Sequence, residues 1–363
     1  MKYDFLIVGA GLFGSVFAYE AKKLGKKCLI IDKRNHIGGN CYSENIDGID
    51  IHKYGPHIFH TNDKKIWEWI NQFGEFNNYV HSPKVNYNNK IYSFPINLLT
   101  LQQLWGVMTP EEAKIKLNQV KKEITSPKNL EEWVIGQVGE EIYEIFIKGY
   151  TIKQWNKNPK DLPISIIKRL PIRTNFDDNY FFDAFQGIPK NGYTKLFENM
   201  LKDIEVRLNV DYFVEKEKWD SICDKVVYTG KIDEFFDYQF GKLEYRSLKF
   251  IEERIDIEDY QGCSIMNYTD YNIPFTRITE HKHFNFSKSN VTWITKEFPI
   301  DYKEGNEPYY PINNDANNKK FSKYKKLSKS IPNVIFGGRL AEYKYYDMHQ
   351  IIASAINKIK EHI

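Results

Sequence analysis

Long apolar segments, paired cysteines and a large net charge are all missing from this sequence of 363 residues. No apolar run approaches the ~20 residues of a membrane-spanning helix, so we expect no membrane span. The first apolar run begins at Phe5, so we expect no signal peptide. The four cysteines lack C-x-x-C spacing, and Cys28 lies in a predicted buried strand, so we expect reduced thiols in a cytoplasmic protein. The formal net charge of +3 is too small to indicate a nucleic-acid partner.

The chain is instead rich in hydrophobic and aromatic residues, at 42% and 15%, as expected of a globular protein. Its most informative pattern lies in the first forty residues. An apolar run at 5–8 predicts a buried parallel strand, which leads directly into the segment GAGLFG. Apolar positions from Val16 to Leu24 predict a helix, and 28–31 predicts a second buried strand. This order is that of a dinucleotide-binding βαβ unit.

Three glycines and one acid give this unit its predicted chemistry. Gly9 allows a tight turn, Gly11 lets backbone N–H groups approach a pyrophosphate, and Gly14 lets helix and strand pack closely. The helix N-terminus adds partial positive charge for the anion. Asp32 ends the second strand, where a carboxylate accepts hydrogen bonds from an adenosine ribose. The alternative is a plain βαβ unit with a glycine-rich turn.

The continuation at 32–40 narrows the expected ligand. DKRNHIGGN resembles the acid-x-Arg-x-x-x-Gly-Gly sequence of FAD-binding proteins of the glutathione-reductase and amine-oxidase type. Two adjacent glycines would bring backbone against the phosphates from a second side, although an ordinary glycine turn is the alternative. FAD is therefore the expected cofactor, and we find no second fingerprint for NAD(P)H.

A helical block follows. Thr109–Glu112 predicts a capping box at a helix start. Apolar spacing predicts a helical stretch over 130–147, divided at Gly136 and Gly139. Residues 149–156 lose the helical pattern and predict a loop that exposes a tyrosine, a lysine and a tryptophan, which favours a ligand or partner there.

Three cations follow this predicted loop. Lys168, Arg169 and Arg173 lie close together near aromatic residues. Such a cluster suits a diphosphate with a flat base. A solvated basic face explains the same pattern.

Shorter patterns complete the local predictions. They predict a helix capped by Asn62, a hairpin that turns at Asn88-Asn89, an exposed polar loop at 313–320, a buried strand at 333–336 and a final helix from about Asp347. His57 and His60 are three apart, but no cysteine or acid has matching spacing, so we expect no metal site. The strand–Gly-Gly–helix ending is how FAD-type domains complete their sheet, with the helix N-terminus towards the isoalloxazine. An ordinary amphipathic C-terminal helix is the alternative.

Over essentially its whole length the chain resembles bacterial UDP-galactopyranose mutases. The resemblance rests on long, non-generic segments in a fixed order: GAGLFG (9–14), KRNHIGGN (33–40), KYGPHIFHTN (53–62), KGYTIKQW (148–155), KRLPIR (168–173), DDNYF (177–181), YTGKID (228–233), MNYTD (266–270), TRITEHKHF (276–284), EPYYP (307–311) and GGRLAEYKYYDMHQ (337–350).

This resemblance implies an α/β fold of three domains with a cleft between them. The discontinuous FAD-binding Rossmann-type domain comprises 1–75, 196–240 and 330–363. An inserted helical bundle takes 97–170, and a twisted antiparallel β-sheet domain of about six strands takes 76–96, 171–195 and 241–329. A homodimer and a mobile loop that carries Trp155 are also implied.

The implied reaction interconverts UDP-galactopyranose and UDP-galactofuranose without net redox change and supplies galactofuranose for cell-surface polysaccharides. Reduced FAD provides N5 as the nucleophile towards sugar C1, and an iminium then allows the ring to reclose. Fixed cations stabilise the departing diphosphate. An external electron donor must keep the flavin reduced.

The family's functional residues match positions of this sequence. Arg169 and Arg277 match the diphosphate cations, and the hydroxyls of Tyr180, Tyr310 and Tyr345 match further diphosphate donors. Tyr150 matches the residue that stacks on uracil, Trp155 matches the residue of the closing loop, and Asn267 lies in the matching substrate segment. His57 and Arg339 match groups beside the isoalloxazine, and Glu297 and Asp347 match acids of the sugar and flavin region. The cofactor-binding positions are Gly9, Gly11, Leu12, Phe13, Gly14, Asp32, Lys33, Gly39, Asn40 and Met348.

One departure and two rival functions stay open at this point. His81 stands where relatives carry asparagine in the strand that leads to the substrate cleft, and the pocket's tolerance for an N-acetylated sugar is undecided. A flavin oxidoreductase of the amine-oxidase type would share the first two segments, but it would not need the paired arginines. A non-catalytic nucleotide-binding or flavin-carrying protein would bind UDP without converting the sugar.

Overall fold

A computed structural model describes residues 2–167 and 171–362. These residues form two compact units. The first comprises Met1–Tyr79, Asp183–Ser247 and Tyr302–Ile363, and the second comprises Val80–Phe182 and Leu248–Asp301. The division into three domains with the boundaries given above stays a prediction.

The first unit is built on a parallel sheet. Its strands, numbered in chain order, are β1 (Tyr3–Val8), β2 (Cys28–Ile31), β9 (Glu205–Arg207), β10 (Cys223–Tyr228) and β16 (Val334–Phe336). In the described residues they lie in the order β16-β10-β1-β2-β9, each pair parallel. Every residue of β2 is buried, which explains its continuous apolar sequence. The predicted βαβ unit and the final strand of the sheet are therefore confirmed.

Helices cover both faces of this sheet. The long apolar stripes of α1 (Leu12–Lys23) and α12 (Met348–His362) pack together on one face. Trp219 and Tyr212 pack on the other. The remaining elements of the unit are β3 (Ser43–Ile46), β4 (Ile49–His52), β5 (Phe59–Thr61), β8 (Phe185–Gly187), β15 (Tyr310–Pro311), α2 (Lys64–Ile70), α7 (Gly192–Met200), α8 (Lys216–Ser221), α9 (Ile232–Phe235), α10 (Asp315–Ser328), α11 (Gly338–Ala341) and a 3₁₀ turn at Gly39–Cys41.

The second unit combines a sheet with a helical block. Its strands are β6 (Lys84–Tyr87), β7 (Lys90–Ser93), β11 (Tyr245–Ile255, which starts in the first unit), β12 (Ile265–Tyr268), β13 (Arg277–Glu280) and β14 (Thr292–Asp301), in the order β11-β14-β13-β12-β6-β7. The sheet is mainly antiparallel, but β6 and β12 run parallel, a departure from the antiparallel sheet that we expected. The helical elements are α3 (Leu98–Trp105), α4 (Pro110–Val120), α5 (Leu130–Ile142), a π-helical turn (Tyr143–Lys148), α6 (Gly149–Trp155) and 3₁₀ turns at Pro159–Asp161, Ile164–Ile166 and His281–His283.

The predicted loop at 149–156 is wrong, because α6 occupies it as a helix. The helical stretch bends where predicted at Gly139, whose φ of 83° is not helical, while Gly136 lies inside α5. The chain then continues through the π-helical turn into α6. The apolar pattern is lost because polar side chains face inwards here: Gln154 is buried. Trp155 is half-buried against the apolar cluster of the second unit.

Other local predictions have mixed outcomes. The capping box at Thr109 and the hairpin turn at Asn88-Asn89 are confirmed. The cap at Asn62 is wrong, since the side chain of Asp63 accepts from the first turn of α2 instead. The polar loop at 313–320 is also wrong, because Asn314 caps α10 there.

The cysteines of the described residues are free thiols, and three of the four are buried. Burial raises the pKa of Cys28 to about 12, which keeps this thiol protonated and unreactive. Within the residues that the structure describes, none of the helices could cross a membrane.

Candidate functional site

The glycine-rich turn after β1 is shaped by close backbone approaches. Gly9 has a φ of 114°, and a Cβ there would lie 2.0 Å from the hydroxyl of Thr229. A Cβ on Gly14 would lie 2.0 Å from the carbonyl oxygen of Gly9. Both positions therefore require glycine for the fold itself.

Gly11 differs from Gly9 and Gly14, because a Cβ atom at this position would not clash with a neighbouring atom. A Cβ on Gly11 would meet only the Cα of Gly39, at 3.8 Å. A Cβ on Gly39, which has a φ of 56°, would lie only 2.8 Å from the Cα of Gly11, so the two backbones are in close contact. Both glycines are only partly buried, and together they form a backbone surface at the start of α1 that suits an anion.

Asp32 is fixed at the end of β2 beside this cradle. Its Oδ2 accepts from the backbone N–H of Ala10 at 2.7 Å, and its Oδ1 accepts from that of Arg34 at 2.8 Å. Each oxygen keeps a second lone pair for a ribose hydroxyl. Lys33 is exposed.

Arg34 was not predicted as a site residue, yet it organises the turn. Its Nη2 donates to Asn40 Oδ1 at 2.8 Å and pairs with Glu307 Oε2 at 2.6 Å, and its guanidinium lies over the ring of Tyr54. The Arg in the acid-x-Arg spacing was the available signal, although its partner Glu307 is far away in sequence.

Residues near the C-terminal end of the chain pack against the start of α1. A Cβ on Gly337 would lie 2.0 Å from the ring of Phe13, so glycine permits contact between this backbone and α1. Leu12 and Met348 pack against the buried cluster around Cys41, whose Sγ lies 3.8 Å from Met348 Sδ. Asp347 directly precedes α12.

Aromatic and basic side chains follow Gly337. Arg339 donates from Nε and Nη2 to the carbonyl of Tyr346 at 3.1 and 2.8 Å. Its guanidinium lies 4.9 Å from the ring centroid of Tyr345, which stacks on Tyr310 at 6.0 Å. The structure thus brings three of the predicted site residues into one group.

His57 belongs to the same unit and is neutral at physiological pH. Burial and, to a smaller extent, the charge of Arg339 lower its pKa to about 4, while the hydrogen bond to the carbonyl of Gly55 opposes this shift. Its Nδ1 lies 2.9 Å from the carbonyl of Gly55. The imidazole can therefore contribute one ring nitrogen to a ligand without adding charge.

His60 is part of a polar cluster that the sequence did not reveal. Its Nδ1 lies 2.5 Å from Asp183 Oδ2, and its ring lies 5.3 Å from that of His349. One ligand atom each from His60, Asp347 and His349 lies within 4.8 Å of the others. His60, Asp183 and the Asp347–His349 pair come from three parts of the chain that are more than a hundred positions apart, so no spacing rule could have joined them.

The second unit contains a row of polar residues across its sheet. Asn267 on β12 is directly opposite Arg277 on β13, and Arg277 is directly opposite Glu297 on β14. Directly opposite residues of neighbouring strands point to the same face. Arg277 Nε lies 3.5 Å from Glu297 Oε1, and Arg277 Nη2 donates to the hydroxyl of Tyr150 at 2.6 Å.

Burial shifts the pKa of Glu297, the acid of this row. Glu297 is 3% exposed, and burial raises the pKa of its carboxyl group while Arg277 opposes the rise. Because the Arg277 side chain is partly exposed, its guanidinium can contact both Glu297 and an anion from solvent. The row therefore offers a cationic site backed by a buried acid.

His81 and Tyr180 form a separate aromatic group in the second unit. Tyr180 N donates to the carbonyl of His81 at 2.7 Å, and the His81 ring lies 5.4 Å from Tyr180 and 5.5 Å from Phe181. His81 is 7% exposed.

The predicted cation cluster is only partly described. Lys168 and Arg169 lie outside the described residues. Arg173 is buried, pairs with Asp177 and lies over the ring of Phe182. These contacts hold the Arg173 side chain within the fold, and the suitability of the three-cation cluster for a diphosphate stays a prediction.

Comparisons with known proteins add to this geometry. A family model described as UDP-galactopyranose mutase matches residues 145–345, and one described as an NAD(P)-binding Rossmann-like domain matches 7–73. The chain is 41% identical to a probable UDP-galactopyranose mutase of Klebsiella pneumoniae, with 99% of this chain and 94% of that protein covered. It is 40% identical to a dTDP-fucopyranose mutase of Escherichia coli, with 97% and 96% covered.

Solved structures share the fold at low sequence identity. A reduced UDP-galactopyranose mutase matches with a TM-score of 0.73 at 15% identity, covering 99% of this chain and 95% of that one. A putrescine oxidase matches with a TM-score of 0.60 at 12% identity, covering 100% and 99%. Because both identities are low, these matches concern the fold alone.

Proposed function

Because this chain belongs to the UDP-galactopyranose mutase family, we propose that it is a flavin-dependent isomerase of UDP-galactopyranose and UDP-galactofuranose. The observation that carries this proposal is the Tyr150–Arg277–Glu297 group, because it provides a fixed cation for a diphosphate beside an aromatic ring. A flavin oxidoreductase of the amine-oxidase type needs a cofactor site but no such group.

FAD is the cofactor that fits the first unit best. The backbone surface formed by Gly11 and Gly39 would receive the pyrophosphate, and Asp32 would bind the ribose. When bound and reduced, FAD supplies a nucleophilic N5 atom for the anomeric carbon of the sugar. His57 and Arg339 would lie beside its ring system, with Asp347 and Met348 at the start of α12.

Arg277 has the central role in the second unit. Negative charge accumulates on the diphosphate when the anomeric C–O bond breaks, and the guanidinium is already oriented by Glu297 and Tyr150. Because the cation does not have to be reoriented during the reaction, it stabilises the transition state more than a mobile side chain would. The ring of Tyr150 would stack on the base, and Asn267 would contact the substrate from the neighbouring strand.

The other substrate residues keep the roles that the family gives them. Tyr180, Tyr310 and Tyr345 would donate hydroxyls to the diphosphate, and Trp155 would cover the nucleotide. Arg169, outside the described residues, would be the second diphosphate cation. Glu297 would act near the sugar, and His81 would replace the asparagine of relatives in the substrate cleft.

A second candidate reaction is the ring isomerisation of dTDP-fucose. The specific observation is that the chain is 40% identical to a dTDP-fucopyranose mutase and 41% identical to a probable UDP-galactopyranose mutase, over nearly full length in both cases. The two substrates differ in the base methyl group, the ribose 2′-hydroxyl and the sugar 6-hydroxyl. None of these differences changes the requirement for Arg277.

One experiment separates these functions. Dithionite-reduced protein is incubated without oxygen in parallel with UDP-galactofuranose, its N-acetylated analogue and dTDP-fucofuranose, and the products are resolved by chromatography. We expect one furanose to be converted into the pyranose without a stoichiometric oxidant. Protein that purifies colourless and cannot take up FAD, or that converts none of the three, would refute the proposal. Binding of UDP without conversion would favour the non-catalytic alternative.

The proposal also covers the location, the oligomeric state and the electron donor of the enzyme. We propose a cytoplasmic homodimer that receives electrons from an external donor and supplies a furanose sugar for cell-surface polysaccharides. Sedimentation of the purified protein tests the dimer, and flavin reduction by NADH, NADPH or cell extract tests the donor.

A further inference from the structure

Lys153 lies at the centre of a ring of backbone carbonyl groups. Its Nζ lies 2.8, 2.8, 3.0 and 2.9 Å from the carbonyl oxygens of Tyr268, Asp270, Ile273 and Phe275, which share its three N–H donors. All four acceptors belong to the segment from the last residue of β12 to the residue before β13, which we call the carbonyl loop (residues 268–276). One ammonium group therefore holds most of this loop from the inside.

The same face of α6 approaches the carbonyl loop at a second point. Gly149 precedes Lys153 by four residues, so both lie on one side of the helix. A Cβ on Gly149 would lie 2.2 Å from the carbonyl oxygen of Thr269 and 3.0 Å from the amide nitrogen of Tyr271. The absence of a side chain at Gly149 thus permits the contact that brings Lys153 within reach of the four carbonyls.

Burial of the Lys153 ammonium group costs free energy, because the charge loses its contact with water. Burial lowers the pKa of Lys153 to about 8, while Asp270 opposes this effect. A buried cation is retained when polar oxygens replace its water, as backbone carbonyls do for potassium in channel filters. Four carbonyls at hydrogen-bonding distance serve this purpose here, and each would lose its charged donor if the cation were removed.

The two elements joined by Lys153 carry the nucleotide site. Tyr150 and Trp155 lie on α6, whereas Asn267 and Arg277 flank the carbonyl loop. The Tyr150–Arg277 hydrogen bond of 2.6 Å crosses between these two elements. Its geometry depends on how α6 and the loop are held together.

We propose that Lys153 is a positioning residue for the nucleotide, which sets the distance between Tyr150 on α6 and Arg277 beyond the carbonyl loop. This inference rests on the proposed function for the identity of the ligand. Lys153 itself does not contact the substrate in this account. Its ammonium occupies the place that a bound monovalent cation would take in a carbonyl ring.

The experiment compares three variants with the wild type. Lys153→Met keeps the length of the chain without the charge, and Lys153→Ala leaves space for a small amine. Lys148→Met is the matched control, because this lysine lies just before α6 and makes an exposed ion pair with Glu144. Flavin absorbance and Tm are measured first, followed by the affinity for UDP and dTDP by calorimetry and by KM and kcat.

We expect Lys153→Met to retain flavin and to lose about 10- to 100-fold in nucleotide affinity, the range for a misplaced binding group. KM should rise more than kcat falls, because the affected contacts are made in the ground state as well. Millimolar n-propylammonium should restore part of the affinity of Lys153→Ala, whereas tetramethylammonium, which has no N–H donor, should not. Lys148→Met should behave like the wild type.

The following results would refute the positioning role of Lys153. Equal nucleotide affinity of Lys153→Met and the wild type would refute positioning, as would an equal loss in Lys148→Met. Failure of n-propylammonium to rescue a folded, yellow Lys153→Ala protein would refute the carbonyl-ring account. If the wild type itself bound neither UDP nor dTDP, the proposed function would fail, a result that is distinct from these.

Discussion

Removal of the Arg277 guanidinium should affect stability and catalysis in separable ways. In Arg277→Met, Glu297 loses the cation that lies 3.5 Å from its carboxylate, and Tyr150 loses a donor at 2.6 Å. Breaking a fully buried ion pair costs about 3–5 kcal/mol. Because the Arg277 side chain is 24% exposed and the Glu297 side chain 4%, we expect a smaller loss, about 2–3 kcal/mol in the free energy of unfolding.

The loss should depend on pH in a defined direction. Burial already raises the pKa of Glu297 above its ordinary 4.5, and removal of Arg277 removes the opposing charge. The folded state then binds more protons than the unfolded state at pH values between 4.5 and the raised pKa. Stability of Arg277→Met should therefore increase as the pH falls through this window, when Glu297 becomes neutral.

The double variant Arg277→Met/Glu297→Met supplies the control. It removes both charges and replaces them with side chains of similar length, so we expect about 1 kcal/mol of destabilisation and little pH dependence. Both proteins should lose mutase turnover, because both lack the proposed diphosphate cation. Urea unfolding of the purified proteins between pH 5 and 8 measures the difference. Equal stability of the single and double variants at pH 8 would refute the account of Glu297 as an acid held by Arg277.

Three further predictions concern other parts of the chain. Gly11→Ala should yield folded protein with little flavin, whereas Gly14→Ala should fail to fold, since its Cβ would meet a carbonyl at 2.0 Å; flavin absorbance and circular dichroism distinguish the two. Protonated His283, whose pKa is raised chiefly by Glu280 with its Oε2 3.3 Å from Nε2, should stabilise the protein below pH 6.5 and lose this effect as the pH rises through the raised value. His283→Asn should remove that pH dependence in urea titrations. Trp155→Ala should weaken UDP binding in calorimetry and also lower the Tm, because the ring packs against the apolar cluster of its unit.

The cofactor half of the site was predictable because its information is local. The glycine turn, α1, β2 and Asp32 follow one another within forty residues, and each residue has one dominant physical reason for its place. The contact between Gly11 and Gly39 is also local, since both belong to this fingerprint. The fingerprint could not indicate the ion-pair partner of Arg34, because Glu307 lies far from it in the sequence.

Predictions failed where inward-facing polar groups replaced apolar ones. The segment 149–156 was expected to be an exposed loop because the helical pattern of apolar residues is lost there. Lys153 is held by the carbonyl loop and Gln154 is buried, both within a helix, so the hydrophobic pattern gives the wrong answer. The same reasoning applies to α10, whose polar first turn belongs to a helix capped by Asn314 and not to the exposed loop that we expected.

The substrate half of the site depends on register, which the sequence leaves undetermined. Asn267, Arg277 and Glu297 become neighbours because three strands pair at one specific offset. A shift of one residue in either pair would send alternate side chains to the other face and separate the acid from the cation. The carbonyl loop fixes the span between β12 and β13, and Lys153 fixes the loop. The chemistry proposed for Arg277 therefore depends on a lysine that touches neither the cation nor the acid, and a family motif could identify the members of the row but not the contact that aligns them.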